Sequence, residues 1–219
     1  MHVVVNAATS ADGKLSSRRR EQIAISGEED FARVDRLRAE VDAVAVGVGT
    51  VRADDPSLVR HDETHRADSH GPDAPPPARV VVDSRCRTPA DADVLDGKPA
   101  TYVLTSESAP DERRRELERS GASLLVAGTE RVDLPAGLSA LAGEGVDRLL
   151  VEGGGELIFS LFEAGLVNEL SVFVGGMVIG GREAPTLADG EGFVADFPAL
   201  ELESVERLDD GVLLRWTVA

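Results

Sequence analysis

Seven short, β-branched apolar runs recur along the chain, and their regular separation constrains the fold more than any other feature. They are "HVVVNAA" at the N-terminus, "AVAVGV" (43–48), "RVVVDS" (79–84), "TYVLTS" (101–106), "SLLVAG" (123–128), "RLLVEG" (148–153) and "LSVFVGG" (170–176). Apolar runs of this length fit strands of a central sheet covered on both faces. Amphipathic segments lie between them. "SGEEDFARVDRLRAEV" places Phe31, Val34, Leu37 and Val41 on one helical face. Ser26 with Glu29 predicts a capping box at its start. "APDERRRELERSG" opens with proline and stops at Gly121, and "GELIFSLFEAGLV" predicts a third helix ending near Gly165. The last stretch, "ALELESVERLDDGVLLRWTVA", alternates on either side of Asp209-Asp210-Gly211, a hairpin signal. The expected fold is α/β: a mostly parallel mixed sheet flanked by helices, with an antiparallel C-terminal hairpin. No repeat or linker divides residues 1–219, which read as one domain. Residues 61–78, "HDETHRADSHGPDAPPPA", read as an exposed, mobile loop. His61, His65 and His70 lie in it without flanking strand or helix signals, so no metal site is expected.

Composition narrows the function classes. No stretch approaches the ~18 consecutive apolar residues of a membrane span. The N-terminus reads as a first strand, not a signal peptide. One cysteine, Cys86, excludes an internal disulfide and a cysteine-rich zinc site, and a reducing cytoplasm is the expected location. The net charge is −17, and Lys14 and Lys98 are the only lysines. Such an acidic, lysine-poor surface suits high intracellular salt, where screening blunts self-repulsion. It argues against non-specific nucleic-acid binding. A phosphorylated ligand would need a local arginine cluster.

Four junctions carry candidate chemistry. At "RLLVEGGGEL" a strand enters Gly153-Gly154-Gly155 and then a helix. Bare backbone N–H groups at a helix N-terminus suit a phosphate or pyrophosphate; a tight turn without a ligand is the alternative. Neither a Walker loop nor a G-x-G-x-x-G fingerprint is present. At "VGVGTVRADDP" Thr50 follows a strand, where ligands of open α/β sheets bind, and Asp54-Asp55-Pro56 can simply start a turn. At "VVDSRCRTP" Ser84, Arg85 and Arg87 could hold a phosphomonoester or be solvated loop residues. At "NAATSADGKLSS" Lys14 stands just beyond the exit of the first strand, or merely closes a turn.

Together these pieces resemble one family closely: the reductase of riboflavin biosynthesis, found alone in archaea and fungi and as the C-terminal half of a bacterial deaminase-reductase. The matching segments are "ADGK" (11–14), "ISGEED" (25–30), "RLRAEVDAVAVGVGTVRADDP" (36–56), "RVVVDSRCRTP" (79–89), "LLVEGGGELIFSLFEAGLVNELSVFVGG" (149–176) and "GGREAPTLADGEGF" (180–193), in family order. The resemblance implies a dihydrofolate-reductase-like fold, a homodimer, and hydride transfer from NADPH to C1′ of 2,5-diamino-6-ribosylamino-4(3H)-pyrimidinone 5′-phosphate. A single cysteine cannot supply the deaminase zinc ligands, so a reductase alone is expected. The resemblance further implies that Gly153, Gly154 and Gly155, with Glu156 and Leu157, cradle the cofactor pyrophosphate. Thr50 and Asp54 would line the nicotinamide-ribose end, and Ser84, Arg85 or Arg87, with Thr105, would meet the 2′-phosphate. Asn6, Lys14 and Glu152 would surround the pyrimidine and reacting carbon, and Ser26 and Arg38 would hold the ribose phosphate. Lys14, Asp54 and Glu152 are the candidate proton donors. After "ADDP" the chain reads "SLVRH", one residue shorter than is common in bacterial relatives, and the phosphate-binding arginine's place would fall to Arg60, to His61 or to neither.

Two other readings use the same cleft: a dihydrofolate or other pterin reductase, and a catalytically silent nucleotide-binding regulator. Against the first, no Pro-Trp lies near the first loop and no acid on the first helix is placed to protonate a pterin. Against the second stand the retained "ADGK", Asp54 and Glu152.

Overall fold

The computed structural model describes residues 1–21 and 23–219. Its elements run β1 (His2–Ser10), α1 (Glu28–Ala39), β2 (Ala43–Gly47), α2 (Val48–Asp54), α3 (Glu63–His70), β3 (Ala78–Val82), β4 (Thr101–Thr105), α4 (Asp111–Arg119), β5 (Ala122–Val126), α5 (Leu134–Gly143), β6 (Arg148–Gly153), α6 (Gly155–Glu163), β7 (Glu169–Gly175), β8 (Leu200–Leu208) and β9 (Gly211–Val218). All nine strands form one sheet, ordered β5-β4-β3-β2-β6-β1-β7-β9-β8. The first seven in that order pair in parallel, and β9 and β8 join antiparallel. Among the described residues no helix is long and apolar enough to cross a membrane.

Strand order determines which face each helix covers. From β2 to β5 the chain steps one way along the sheet, and from β5 through β6 to β7 it steps back. Right-handed crossovers therefore place the two sets of helices on opposite faces. The core divides accordingly. Val3, Val5, Ala45 and Val151 pack against Leu138 and Leu141 of α5 and Ile158 and Leu161 of α6. Val4, Val44, Val46 and Leu150 pack beneath Leu37 of α1, Val51 of α2 and Leu117 of α4. β6 lies between β1 and β2, so the chain leaves β6 toward the opposite face from the chain leaving its two neighbours. That opens a crevice at the carboxyl ends of these strands, where ligands of open α/β sheets bind.

The first helix departs from expectation in two ways. Its buried residues are Asp30, Arg33 and Ala39, whereas Phe31 is 46% exposed and Val34 and Leu37 are only partly covered. Arg33 lies flat against the sheet, donating to Asp30 Oδ1 (2.8 Å), Asn6 Oδ1 (2.8 Å) and Ser171 Oγ (3.2 Å). This set of hydrogen bonds replaces part of the predicted apolar face. The N-cap is Gly27, and no Ser26 capping box forms. Instead Asp209, in the turn between β8 and β9, accepts the N–H groups of Gly27, Glu29 and Asp30 at 3.1 Å each. Glu29 reciprocates by accepting the Asp209 N–H at 3.0 Å.

Residues 61–78 are not the unstructured loop expected. Asp62 accepts the His65 N–H at 2.9 Å and starts α3. Arg66 is buried and donates to the carbonyls of Ala39, Val41 and Pro75. The three histidines do not converge: His61 bonds Val59 O, His65 bonds Glu40, and among the described residues no metal-ligand cluster exists. Arg79 of β3 is wholly buried and is held by Thr101, the Asp93 and Pro99 carbonyls and Asp96. The helices α2, α3 and α5 add to the three that sequence patterning picks out; α2 and α3 are short, whereas α5 buries Leu134, Leu138 and Leu141 at helical spacing.

Candidate active site

The crevice between β2 and β6 is bounded by two glycine turns that touch. Gly154 has φ +93°, a conformation that favours glycine. A Cβ there would stand 3.5 Å from the Gly47 backbone, and one on Gly153 would stand 3.2 Å from Thr50 Oγ1. Thr50 in α2 and the β6–α6 turn are thus in contact, as ligands of one crevice would require. Beyond the turn, the Ile158 N–H is the first in α6 to find a carbonyl, reaching Gly154 O at 2.9 Å. The N–H groups of Gly155, Glu156 and Leu157 meet no intramolecular acceptor among the described residues. Orphan donors at the positive end of a helix dipole attract an anion.

Not every glycine is small for a ligand's sake. A Cβ on Gly155 would come within 2.6 Å of both Asp189 Oδ2 and Thr186 O. The 184–189 segment therefore packs on the turn, and the Asp189 N–H bonds Gly155 O at 3.0 Å. The same segment reaches the exit of β1. Lys14 pairs with Thr186 as an isolated bridge, and its ammonium lies 3.4 Å from Ala184 O. This strap joins Lys14 to the glycine turn, a link that local sequence does not signal.

Charged side chains line the other side of the crevice. Glu152 accepts both Arg38 Nε (2.8 Å) and Nη2 (2.7 Å), a bidentate pair. Arg38 Nη1 donates to Arg60 O at 3.0 Å, and Arg60 Nε meets Asp35 Oδ2 at 2.7 Å. Burial disfavours the Arg38 charge, but the Glu152 carboxylate outweighs it and the guanidinium pKa rises above its usual value. Arg60 is exposed while Glu152 is nearly enclosed. Asn6 lies next to Glu152 in the sheet, because Val5 pairs with Val151. Its Oδ1 is already engaged by Arg33. Ser26 makes no hydrogen bond through its hydroxyl among the described residues. Asp54, at the end of α2, is exposed, yet partial desolvation raises its carboxyl pKa.

The expected adenine-ribose group is more dispersed. Arg85 and Arg87 are exposed beyond β3, and Arg87 Nε lies 3.8 Å from buried Asp83. The Ser84 hydroxyl is not free, since it accepts the Val132 N–H at 3.0 Å. Thr105 contradicts the expectation outright: it is fully buried, and its hydroxyl bonds Cys86 Sγ at 3.3 Å. A side chain sealed in the core cannot meet a 2′-phosphate. The residues that sequence reasoning missed are Arg33, Asp30 and Asp35. Their only signal is a set of charges at positions 30, 33, 35 and 38 of an otherwise ordinary amphipathic helix.

Residues 1–214 match the model of the RibD C-terminal domain. The chain belongs to the RibD C-terminal domain family. It is 47% identical over 211 residues, 96% of this chain and 94% of the relative, to the 2,5-diamino-6-ribosylamino-4(3H)-pyrimidinone 5′-phosphate reductase of Archaeoglobus fulgidus. A protein of the same name from Methanothermobacter thermautotrophicus is 46% identical, covering 99% of this chain and 98% of the relative. Among solved structures, a pyrimidine reductase-like protein of Corynebacterium diphtheriae shares the fold with TM-score 0.85 at 19% identity, covering all of this chain and 92% of that one. Acinetobacter baumannii RibD has TM-score 0.78 at 26% identity, and this chain spans 58% of its length.

Proposed function

We propose that this chain reduces 2,5-diamino-6-ribosylamino-4(3H)-pyrimidinone 5′-phosphate with NADPH, converting its ribosyl group to ribityl in riboflavin biosynthesis. The observation that carries the reading is the β6–α6 turn, with unsatisfied N–H groups beside Thr50 at the switch point of the sheet. That arrangement fits a dinucleotide's pyrophosphate, which needs backbone donors and close approach. When bound, NADPH supplies the hydride. The chain then has four tasks: binding, alignment, exclusion of water and delivery of a proton.

Gly153, Gly154, Gly155, Glu156 and Leu157 hold the pyrophosphate, and Thr50 and Asp54 flank the nicotinamide ribose. Arg85 and Arg87, exposed on long stems, meet the 2′-phosphate, with Ser84 contributing backbone. Ser26, Arg38 and Arg60 hold the substrate phosphate. Because Glu152 and Asp35 already neutralise both arginines, the phosphate takes over their guanidinium hydrogen bonds instead of entering an open positive pocket. Asn6, Lys14 and Glu152 surround the pyrimidine and C1′. Opening the ribose ring to an imine needs a proton on the ring oxygen. Asp54 is the favoured donor, because its raised pKa keeps the proton nearer to neutral pH.

The enzyme acts as a homodimer in the cytoplasm, and its acidic surface suits high salt. Oxidation of NADPH by the purified protein, followed by absorbance with the ribosylaminopyrimidine phosphate as acceptor, tests the reading. Turnover with dihydrofolate alone would overturn it in favour of a pterin reductase, and binding without turnover would favour a regulator. A melting temperature that does not rise with salt would refute the salt adaptation.

A further inference from the structure

Arg33 puts a charge where α1 could cover the sheet with an apolar side chain. It is buried, and so are Asp30, Asn6 and Ser171 around it. Its Nε and Nη2 meet Asp30 Oδ1 at 2.8 and 2.7 Å, Nη2 also donates to Asn6 Oδ1 at 2.8 Å, and Nη1 donates to Ser171 Oγ at 3.2 Å. Asn6 and Ser171 are register partners on β1 and β7, so one guanidinium spans two strands. A buried ion pair rarely adds stability over apolar residues of similar volume, so support of the fold does not account for it. Its chemistry constrains Asn6. A guanidinium carries donors only. Asn6 can therefore face it only through its carbonyl oxygen, and the planar amide then turns its NH2 group away from Arg33. Asn6 Nδ2 makes no hydrogen bond among the described residues, and the sealed side-chain atoms without a partner there are Arg114 Nε and Arg148 Nε. Nδ2 is thus unsealed, and it opens to the crevice beside Glu152.

We infer that Arg33 is a positioning residue for substrate: it fixes Asn6 as a hydrogen-bond donor toward the crevice, where the amide selects a ligand atom with a lone pair, the ring carbonyl of the pyrimidinone. This rests on the reading above that Asn6 borders the pyrimidine. The two ends of a carboxamide have nearly the same shape, so without Arg33 the group is free to flip. A flipped Asn6 would set an acceptor against the carbonyl. The Glu152 carboxylate next to it accepts only. Donor and acceptor thus stand side by side on strands ~5 Å apart. A 4(3H)-pyrimidinone edge carries the complementary order, a carbonyl oxygen next to a ring N–H. Asp30 belongs to the same device, because it holds the guanidinium in the orientation that engages Asn6.

Kinetics and side-chain NMR of the full chain test this. Arg33→Lys keeps a charge beside Asp30 but loses the planar fork. It is expected to raise substrate KM about tenfold, the scale of one hydrogen bond, with the NADPH dissociation constant within about twofold. Before any ligand is added, the Asn6 carboxamide signals are expected to move in this variant; in the wild type they are expected to move when substrate binds. Asn6→Asp keeps an oxygen for Arg33 and replaces the donor with an acceptor, and it is expected to raise KM at least ~10-fold. Arg36→Ala, exposed on the same helix, is expected to leave KM unchanged. A wild-type KM in either Arg33→Lys or Asn6→Asp would overturn the inference, as would an equal loss of substrate and NADPH affinity. If Arg33→Lys does not fold, Asn6→Asp and the wild-type signals decide, and Asn6 signals indifferent to substrate count against the donor. A wild type without turnover would overturn the reaction proposed above. Unmoved Asn6 signals in ligand-free Arg33→Lys would overturn the positioning alone.

Discussion

The two sides of the crevice solve the problem of anion binding differently. The β6–α6 turn offers main-chain N–H groups that have no partner among the described residues, and it is ready before a ligand arrives. The α1 side offers guanidinium groups that already have partners, Glu152 and Asp35, so a ligand must exchange for existing bonds. A preorganised backbone site depends on conformation, and a paired side-chain site depends on charge balance. Substitutions should therefore damage the two sides in different currencies: cofactor affinity on one, substrate KM and pH or salt response on the other.

The largest effect is expected for Gly154→Val. Its φ of +93° would force a β-branched residue into strained backbone costing roughly 1–3 kcal/mol, and the turn would shift out of place. Titration should show NADPH affinity reduced at least ~100-fold; near-normal binding would remove the cradle. Next, Arg38→Ala should raise substrate KM by ~10–100-fold, the scale of one charge-assisted pair at ~1.5–3 kcal/mol, and leave the NADPH dissociation constant within about twofold. An equal loss for both ligands would erase the distinction between the sides.

Two smaller changes probe the supports of each side. Asp209→Ala leaves the N–H groups of the N-cap Gly27 and of Glu29 and Asp30 in α1 without that acceptor, a loss of about 1–2 kcal/mol by capping measurements. For a chain of this size that lowers Tm by several degrees, with substrate KM rising more than NADPH Kd. An unchanged Tm would show that α1 does not need the hairpin. The smallest effect concerns Asp12, which supports the strap side. The Ser10 hydroxyl and the Ile179 and Gly180 N–H groups hold its carboxyl pKa near 2, below 3.8. A lowered acid pKa stabilises the folded state in full above about pH 4, and that contribution fades as pH falls through 2. An NMR titration of Asp12 with its midpoint at 3.8 would show that the tether does not form.

Much of the scaffold is readable from local pattern. The strands announce themselves as short β-branched runs because both faces are covered, and Asp209-Asp210-Gly211 marks the hairpin because only a tight turn needs that chemistry. The glycine run is legible for a similar reason, since Gly154 must take a positive φ. What pattern cannot show is where a buried charge finds its partners. Arg33, Arg66 and Arg79 are buried on bonds to residues distant in sequence. In a one-dimensional reading each looks like a solvated arginine. Arg66 and Asp62 together turn an apparently featureless proline- and histidine-rich stretch into a helix. Thr105 errs in the other direction. It stands at a strand's end, where a cofactor contact is reasonable, but the turn that carries Cys86 closes over it.

The cap that Asp209 places on α1 spans nearly the whole chain. Every residue assigned to substrate lies upstream of position 153, yet the helix that carries Arg38 is finished only when the last hairpin folds back onto it. A nascent chain therefore cannot complete its substrate side until residues 200–218 have been made. Damage to the final strands would silence a site that contains none of their side chains.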